Sequence, residues 1–145
     1  MKRGFWIVLG LFLLLPVIQG QEKAGRTLKV SIHYTGNGTV DEKHKIFAVL
    51  FDSPAFATGE ARPIAVRSAS SKDEVVTFSD VSKSPVYAAA SYDPTGNYDG
   101  ESGPPPAGAS LGMYSKTRGT PEPIQLEPGK TVQVELTFDD RVKMQ

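Results

Sequence analysis

Apolar and polar residues alternate in two segments near the two ends of the chain. Every second residue is apolar from residue 28 to residue 34 and again from residue 132 to residue 138. Successive side chains of a strand point to opposite faces, so both segments are predicted to be strands with one buried face. In residues 46–51 and 86–92, both the odd and the even positions are apolar or small. This pattern predicts central strands that are covered on both faces.

Three shorter segments are further strand candidates. They are residues 63–67, 75–78 and 123–126, and the first and last of them start with a proline. Proline cannot donate to a strand ladder, so these two are expected at sheet edges.

The connections contain residues that favour turns. Asn37-Gly38 predicts a tight reversal because both residues tolerate a positive φ, and residues 127–130 (EPGK) predict a second turn. Ser53 before Pro54 is predicted to cap a single helical turn that runs through Ala57.

Together these patterns predict an all-β fold with little helix. No segment keeps a helical period of 3.6 over ten residues, and about seven short strands are separated by turn residues. We therefore expect one antiparallel β-sandwich of seven strands over residues 27–140, followed by a C-terminal tail at residues 141–145.

The first 20 residues have the pattern of a secretory signal peptide. Lys2 and Arg3 precede an apolar stretch, and Gly20 provides a small residue for cleavage. The apolar stretch is shorter than the roughly 20 residues that span a bilayer, so no stable membrane anchor is expected after cleavage. We expect residues 21–26 to be a disordered N-terminus and the product to be periplasmic or secreted.

Composition narrows the function further. Without residues 1–20 the chain has 14 basic and 16 acidic residues, so its formal charge is 14 − 16 = −2. A weakly acidic chain lacks the basic surface that neutralises phosphates, which argues against nucleic acid as a partner. The chain has no cysteine, which excludes thiol catalysis, thiolate metal sites and disulfides.

The order of several segments resembles a known superfamily. Residues 76–81 (VTFSDV), residues 85–90 (PVYAAA) and the closing stretch 123–138 are similar to the prealbumin-like sandwiches of carboxypeptidase regulatory domains. Residues 47–56 (FAVLFDSPAF) and 92–100 (YDPTGNYDG) also look similar to an uncharacterised family of exported bacterial proteins. The resemblance implies a β-sandwich and export, and it assigns no specific activity.

A long segment at residues 93–110 interrupts the strand pattern and is the main candidate for a binding site. It is rich in glycine, proline and acidic residues and shows no periodicity. Irregular loops of this length inside a compact domain are usually functional or disordered. The candidate ligand-binding residues in and beside this loop are Asp93, Asn97, Tyr98, Asp99, Glu101 and Tyr114.

Four of these residues also form a candidate calcium site. Asp93, Asn97, Asp99 and Glu101 place four oxygen-bearing side chains within nine positions, and Ca²⁺ takes six to eight oxygens from flexible loops. The alternative is a solvated acidic loop without a metal, and this is the reading we favour. No other cofactor is expected.

The partner is expected to be a protein or a glycan. Carbohydrate-binding modules stack sugar rings on aromatic side chains, and the only tryptophan, Trp6, lies in the signal segment. Tyr92, Tyr98 and Tyr114 are the remaining aromatic side chains around the loop.

Enzymatic activity is not expected, and a small hydrolase is the alternative. Residues 108–112 match G-x-S-x-G, but prolines precede the motif and both histidines, His33 and His44, lie upstream of Ser110. A nucleophile elbow needs a strand before the serine, a helix after it and a histidine later in the chain. We therefore expect a non-catalytic binding or accessory module.

Overall fold

The computed structural model describes residues 24–145 of the chain. The signal peptide predicted at residues 1–20 lies outside the described residues. The described part contains seven strands and one short 3-10 helix, in chain order β1 (Arg26–Tyr34), β2 (Ile46–Phe51), the 3-10 helix (Pro54–Thr58), β3 (Pro63–Ala69), β4 (Asp73–Val81), β5 (Tyr87–Tyr92), β6 (Ser110–Met113) and β7 (Thr131–Phe138). In this part of the chain no helix is both long enough and apolar enough to cross a membrane.

The strands form two sheets, which confirms the prediction of an all-β sandwich. The three-stranded sheet has the order β4-β1-β7, and the four-stranded sheet has the order β3-β2-β5-β6. The prediction that all pairing is antiparallel was wrong in one place, because β1 and β7 pair in parallel from Thr27↔Thr131 to Tyr34↔Phe138. Parallel neighbours need a long connection, and almost the whole domain lies between these two strands.

The core lies between the sheets and is built from alternate residues. Leu28, Val30 and Ile32 of β1 are fully buried, and Phe78 of β4 and Leu136 of β7 join them. Each such side chain stabilises the fold by roughly 1.5–3 kcal/mol when it leaves water.

Strand β2 is buried on both faces, as its pattern predicts. Leu50 faces the core, and Phe47 and Val49 on the opposite face are each only 8% exposed. The residues that follow β5 and β2 cover this outer face: Tyr98 packs edge-on against Phe47, and Phe56 stacks on Phe51.

Two predictions about the strands and turns were wrong. Residues 123–126 form only an isolated bridge, Val86↔Ile124, and the seventh strand is β6, which the sequence pattern did not predict. Asn37-Gly38 does not form a hairpin turn, because β1 and β2 belong to different sheets. Gly38 is required for space: an added Cβ would lie 2.2 Å from the Tyr92 ring.

Two other predicted features are confirmed. Ser53 accepts a hydrogen bond from the Ala55 amide and caps the 3-10 helix. Gly129 adopts a φ of 72°, and the Lys130 amide donates to the Glu127 carbonyl across the predicted turn.

Candidate functional site

The long loop begins after Tyr92, the last residue of β5. Tyr92 pairs with Ile46, so the loop starts at the end of the sandwich where β2 begins. Its first part packs on the outer face of β2, where the rings of Tyr98 and Phe47 are 5.4 Å apart. Gly100, at a φ of 82°, passes so close to Phe47 that an added Cβ would lie 2.4 Å from the ring. The loop is therefore seated on the sheet through a buried aromatic contact.

Asp93 organises the first turn of this loop. The residue is only 3% exposed, and its carboxylate accepts hydrogen bonds from the Thr95 hydroxyl and from the amides of Thr95, Asn97 and Tyr98, at 2.7–3.1 Å. Burial raises the pKa of Asp93, but these hydrogen bonds outweigh burial and hold the pKa below its ordinary value. The carboxylate is charged at neutral pH and fixes the backbone of residues 93–98.

Asp99 organises the second turn in the same way, at the surface. Its carboxylate accepts hydrogen bonds from the amides of Glu101 and Ser102 and from the Ser102 hydroxyl. The Ser102 hydroxyl and these amides lower the pKa of Asp99 to about 2. The Tyr98 hydroxyl donates to the Gly103 carbonyl at 2.8 Å and ties the two turns together.

Between the two turns and the following prolines lies an open cleft of about 340 Å³. Its size is near the lower limit of typical small-molecule sites. The lining combines polar groups with the flat ring of one tyrosine and the apolar rings of two prolines, and consists of Asp93, Thr95, Asn97, Tyr98, Ser102, Pro104 and Pro106.

The structure brings three of the six predicted site residues together. Asp93, Asn97 and Tyr98 line the cleft, whereas Asp99 and Glu101 do not. Tyr114 lies beyond the far end of β6, where its amide donates to the Ala88 carbonyl. The other lining residues are Thr95, Ser102, Pro104 and Pro106. Thr95 adds a fifth oxygen-bearing side chain to the four candidate calcium ligands, and the only signal for the other three was membership of the same irregular loop.

The structure gives no support to a preformed calcium site. Asp93 and Asp99 each cap their own turn, and in residues 24–145 no group of three or more His, Asp or Glu side chains is placed to hold a metal ion. The calcium site at Asp93, Asn97, Asp99 and Glu101 stays a prediction.

Ser110, the serine of the G-x-S-x-G motif, belongs to a buried network beside the loop. Ser110 is fully buried and donates to the Asp140 carboxylate at 2.7 Å, while Lys143 Nζ lies 3.2 Å from its hydroxyl oxygen. The same carboxylate accepts hydrogen bonds from the Tyr34 hydroxyl at 2.5 Å and from the Asn37 amide at 2.8 Å. The network joins β1, β6 and the chain after β7.

Opposed pKa shifts accompany this network. The hydrogen bond from Tyr34 lowers the pKa of Asp140 to about 2 despite partial burial, with a further contribution from Ser110. Burial and the hydrogen bond to Asp140 raise the pKa of Tyr34 to about 12. Both shifts stabilise a charged Asp140 beside a neutral Tyr34 at neutral pH.

The two histidines lie in separate places. His33 Nδ1 is 2.7 Å from Asp73 on the polar face of β1, and His44 Nδ1 is 2.8 Å from Asp41 in the connection before β2. Among residues 24–145, neither ring is hydrogen-bonded to a serine hydroxyl. The His44 ring instead lies beside the loop at Gly96. A Cβ added to Gly96 would be only 2.9 Å from this ring.

A second groove of about 270 Å³ lies between the edge strands β3 and β4. It is lined by Ile64, Ala65, Arg67 and residues 79–82. Arg67 partly closes it by donating from Nε to the Thr77 carbonyl while its guanidinium lies over the Phe78 ring. The polar side chains of this groove are Arg67, Ser79, Asp80 and Ser82, and none of them belongs to the long loop.

No protein-family model matches this chain, and no curated protein or solved structure is significantly similar to it.

Proposed function

We propose that this chain is an exported, non-catalytic binding or accessory module, and that the cleft in the loop at residues 93–106 contacts its ligand. The observation that carries the proposal is the fixed geometry of this cleft: a buried, charged Asp93 holds three backbone amides of an otherwise irregular loop. A site formed before the ligand arrives avoids the cost of ordering the loop on binding. The signal-like residues 1–20 and the resemblance of residues 47–56 and 92–100 to an exported bacterial family support the proposed export.

The arrangement of the polar groups also favours a non-catalytic role. The one serine in a nucleophile-like motif is fully buried, and it bonds to Asp140 rather than to a histidine. A serine nucleophile needs access to substrate, and a hydroxyl with no exposed surface lacks that access even though Lys143 lies within hydrogen-bond reach of it.

The proposal is tested by an NMR screen of the purified protein against a library of small neutral, acidic and basic fragments. We expect the perturbed amides to cluster on residues 93–106. Fragments that bind only in the groove between β3 and β4, or no binding at all, would contradict the proposal.

Catalysis is tested separately with generic esters. We expect the wild-type protein, a His33→Gln/His44→Gln double variant and Ser110→Ala to leave these esters at the uncatalysed rate of hydrolysis. Enzymatic turnover by the wild type that either variant loses would favour the hydrolase alternative.

A further inference from the structure

The charge of the cleft lining restricts its ligand. None of the seven lining residues is Lys, Arg or His, and the only charged one is Asp93. Binding of phosphate, sulfate or carboxylate groups normally uses cationic side chains. An anionic ligand would here meet a carboxylate without a compensating cation, so the lining disfavours it.

A cation is disfavoured for a different reason. An ionised carboxylate offers about four lone-pair positions, and four donors already fill those of Asp93. A cation that recruited this carboxylate would break the turn that forms the cleft.

The groups that remain for a ligand are neutral. The Asn97 side-chain amide makes no hydrogen bond to any of residues 24–145, so it offers both a donor and an acceptor. The Ser102 hydroxyl donates to Asp99 and keeps lone pairs free to accept. The apolar part of the lining is the ring of Tyr98 with the rings of Pro104 and Pro106.

We infer that the cleft binds a neutral sugar residue of a glycan, with sugar hydroxyls on Asn97 and Ser102 and an apolar sugar face against Tyr98. This inference rests on the proposed function of the loop as a binding site. A pyranose ring presents hydroxyls at its edge and C–H groups on its faces, which matches neutral polar groups beside the flat ring of Tyr98.

A proline-rich peptide fits this cleft less well. Grooves that bind such peptides are lined by several aromatic side chains, and Tyr98 is the one aromatic residue in this lining.

The orientation of Tyr98 is fixed before binding. Its ring is held by Phe47 and its hydroxyl by the Gly103 carbonyl, so the ring is not free to rotate away. A single stacking ring gives a modest affinity, and we expect a dissociation constant of about 1 mM for a short oligosaccharide.

The inference is tested by NMR titration of the protein with maltotetraose, cellotetraose, mannotetraose and chitotriose. An oligosaccharide of glucuronic acid, a proline-rich decapeptide and CaCl₂ are the comparison probes. We expect at least one neutral oligosaccharide to shift the amides of residues 95–106, and the charged and peptide probes to leave them unchanged.

Matched variants locate the contact. Tyr98→Ala and Asn97→Ala should each weaken binding about tenfold, and Tyr98→Phe should weaken it less than Tyr98→Ala because the aromatic face is kept. Glu101→Gln should bind as the wild type does. The dispersion of the amide spectrum shows that each variant is folded.

Two results would overturn the inference. No shift of the amides of residues 95–106 by any neutral oligosaccharide would refute the neutral-sugar class. Binding of the acidic oligosaccharide, the peptide or calcium in the cleft in that case would leave the proposed binding site standing. Binding of neutral sugars that Tyr98→Ala and Asn97→Ala both leave unchanged would refute the inferred contact and count against the proposed site as well.

Discussion

At the scale of single residues, Asp93 has the largest influence on the proposed site. Its carboxylate accepts hydrogen bonds from three backbone amides at the base of the loop. A buried donor left without a partner costs about 1–3 kcal/mol. The acidic residues of this loop therefore differ in role, although in the sequence they form one group.

Replacement of Asp93 tests this difference. We expect Asp93→Ala to lower the free energy of unfolding by about 2 kcal/mol or more, because several amides lose their acceptor at once. Glu101→Gln is the matched control: Glu101 is exposed, and its side chain accepts no hydrogen bond within residues 24–145, so a change within about 0.5 kcal/mol is expected. Urea unfolding measures both, and equal effects of the two substitutions would contradict the role of Asp93.

Acid stability is also decided at the residue scale, by Tyr34 and Asp140. The folded pKa of Asp140 is lowered to about 2, so its contribution is present above about pH 4 and is lost as the pH falls towards 2. Tyr34→Phe removes the hydrogen bond that contributes most to this shift. Because the carboxylate is partly solvated, we expect the stability gap between wild type and Tyr34→Phe to narrow by only about 1 kcal/mol between pH 4 and pH 2.

Urea unfolding at intervals between pH 2 and pH 5 measures this gap. A gap that stays constant over the interval would show that the Tyr34 hydrogen bond does not depend on the charge of Asp140.

At the scale of elements, periodicity predicted the strands whose own residues bury one face. It did not predict strands whose formation depends on pairing with neighbouring segments. Strands β1, β2 and β7 were recognisable because their own residues alternate or are apolar throughout. β6 has only four residues, and its pairing depends on β5 and on the C-terminal residues. The part of the cleft lined by Ser102, Pro104 and Pro106 was missed for the same reason. These residues share a cleft with Asn97 through the path of the loop, which Asp93 and Phe47 help to fix.

The C-terminal residues provide a prediction at this scale. The Leu111 amide donates to the Val142 carbonyl, the Met144 amide donates to the Ala109 carbonyl, and the Gly108 amide donates to the Met144 carbonyl, so the tail pairs with the start of β6. Removal of residues 142–145 should lower the melting temperature by several degrees, since these bonds and the Lys143 contact with Asp140 are lost. Lys116→Ala is the control, as its side chain is exposed in the loop after β6. An unchanged melting temperature after truncation would refute the pairing.

At the scale of the whole molecule, the sandwich acts as a rigid support that presents one fixed loop. The polar outer face of β1 and the covered outer face of β2 distinguish the two sheets, and the loop lies on the covered one. Function on such scaffolds is usually carried by loops rather than by the sheets themselves.

The melting temperature with and without calcium tests whether the loop is already fixed by its own turn caps. Four donors occupy the Asp93 carboxylate and three occupy that of Asp99, so we expect the same melting temperature in chelator and in millimolar calcium. A ligand that binds only the folded state must raise stability, so a higher melting temperature in calcium would contradict this assignment.

The central claim is that the loop is ordered before any ligand binds, and amide hydrogen exchange of the free protein tests it most directly. The amides of Thr95, Asn97 and Tyr98 donate to the Asp93 carboxylate, so we expect them to exchange far more slowly than the exposed amides of the same loop. Exchange of these three amides at the rate of an unfolded peptide would show that the cleft does not exist in the free protein, and would contradict the account.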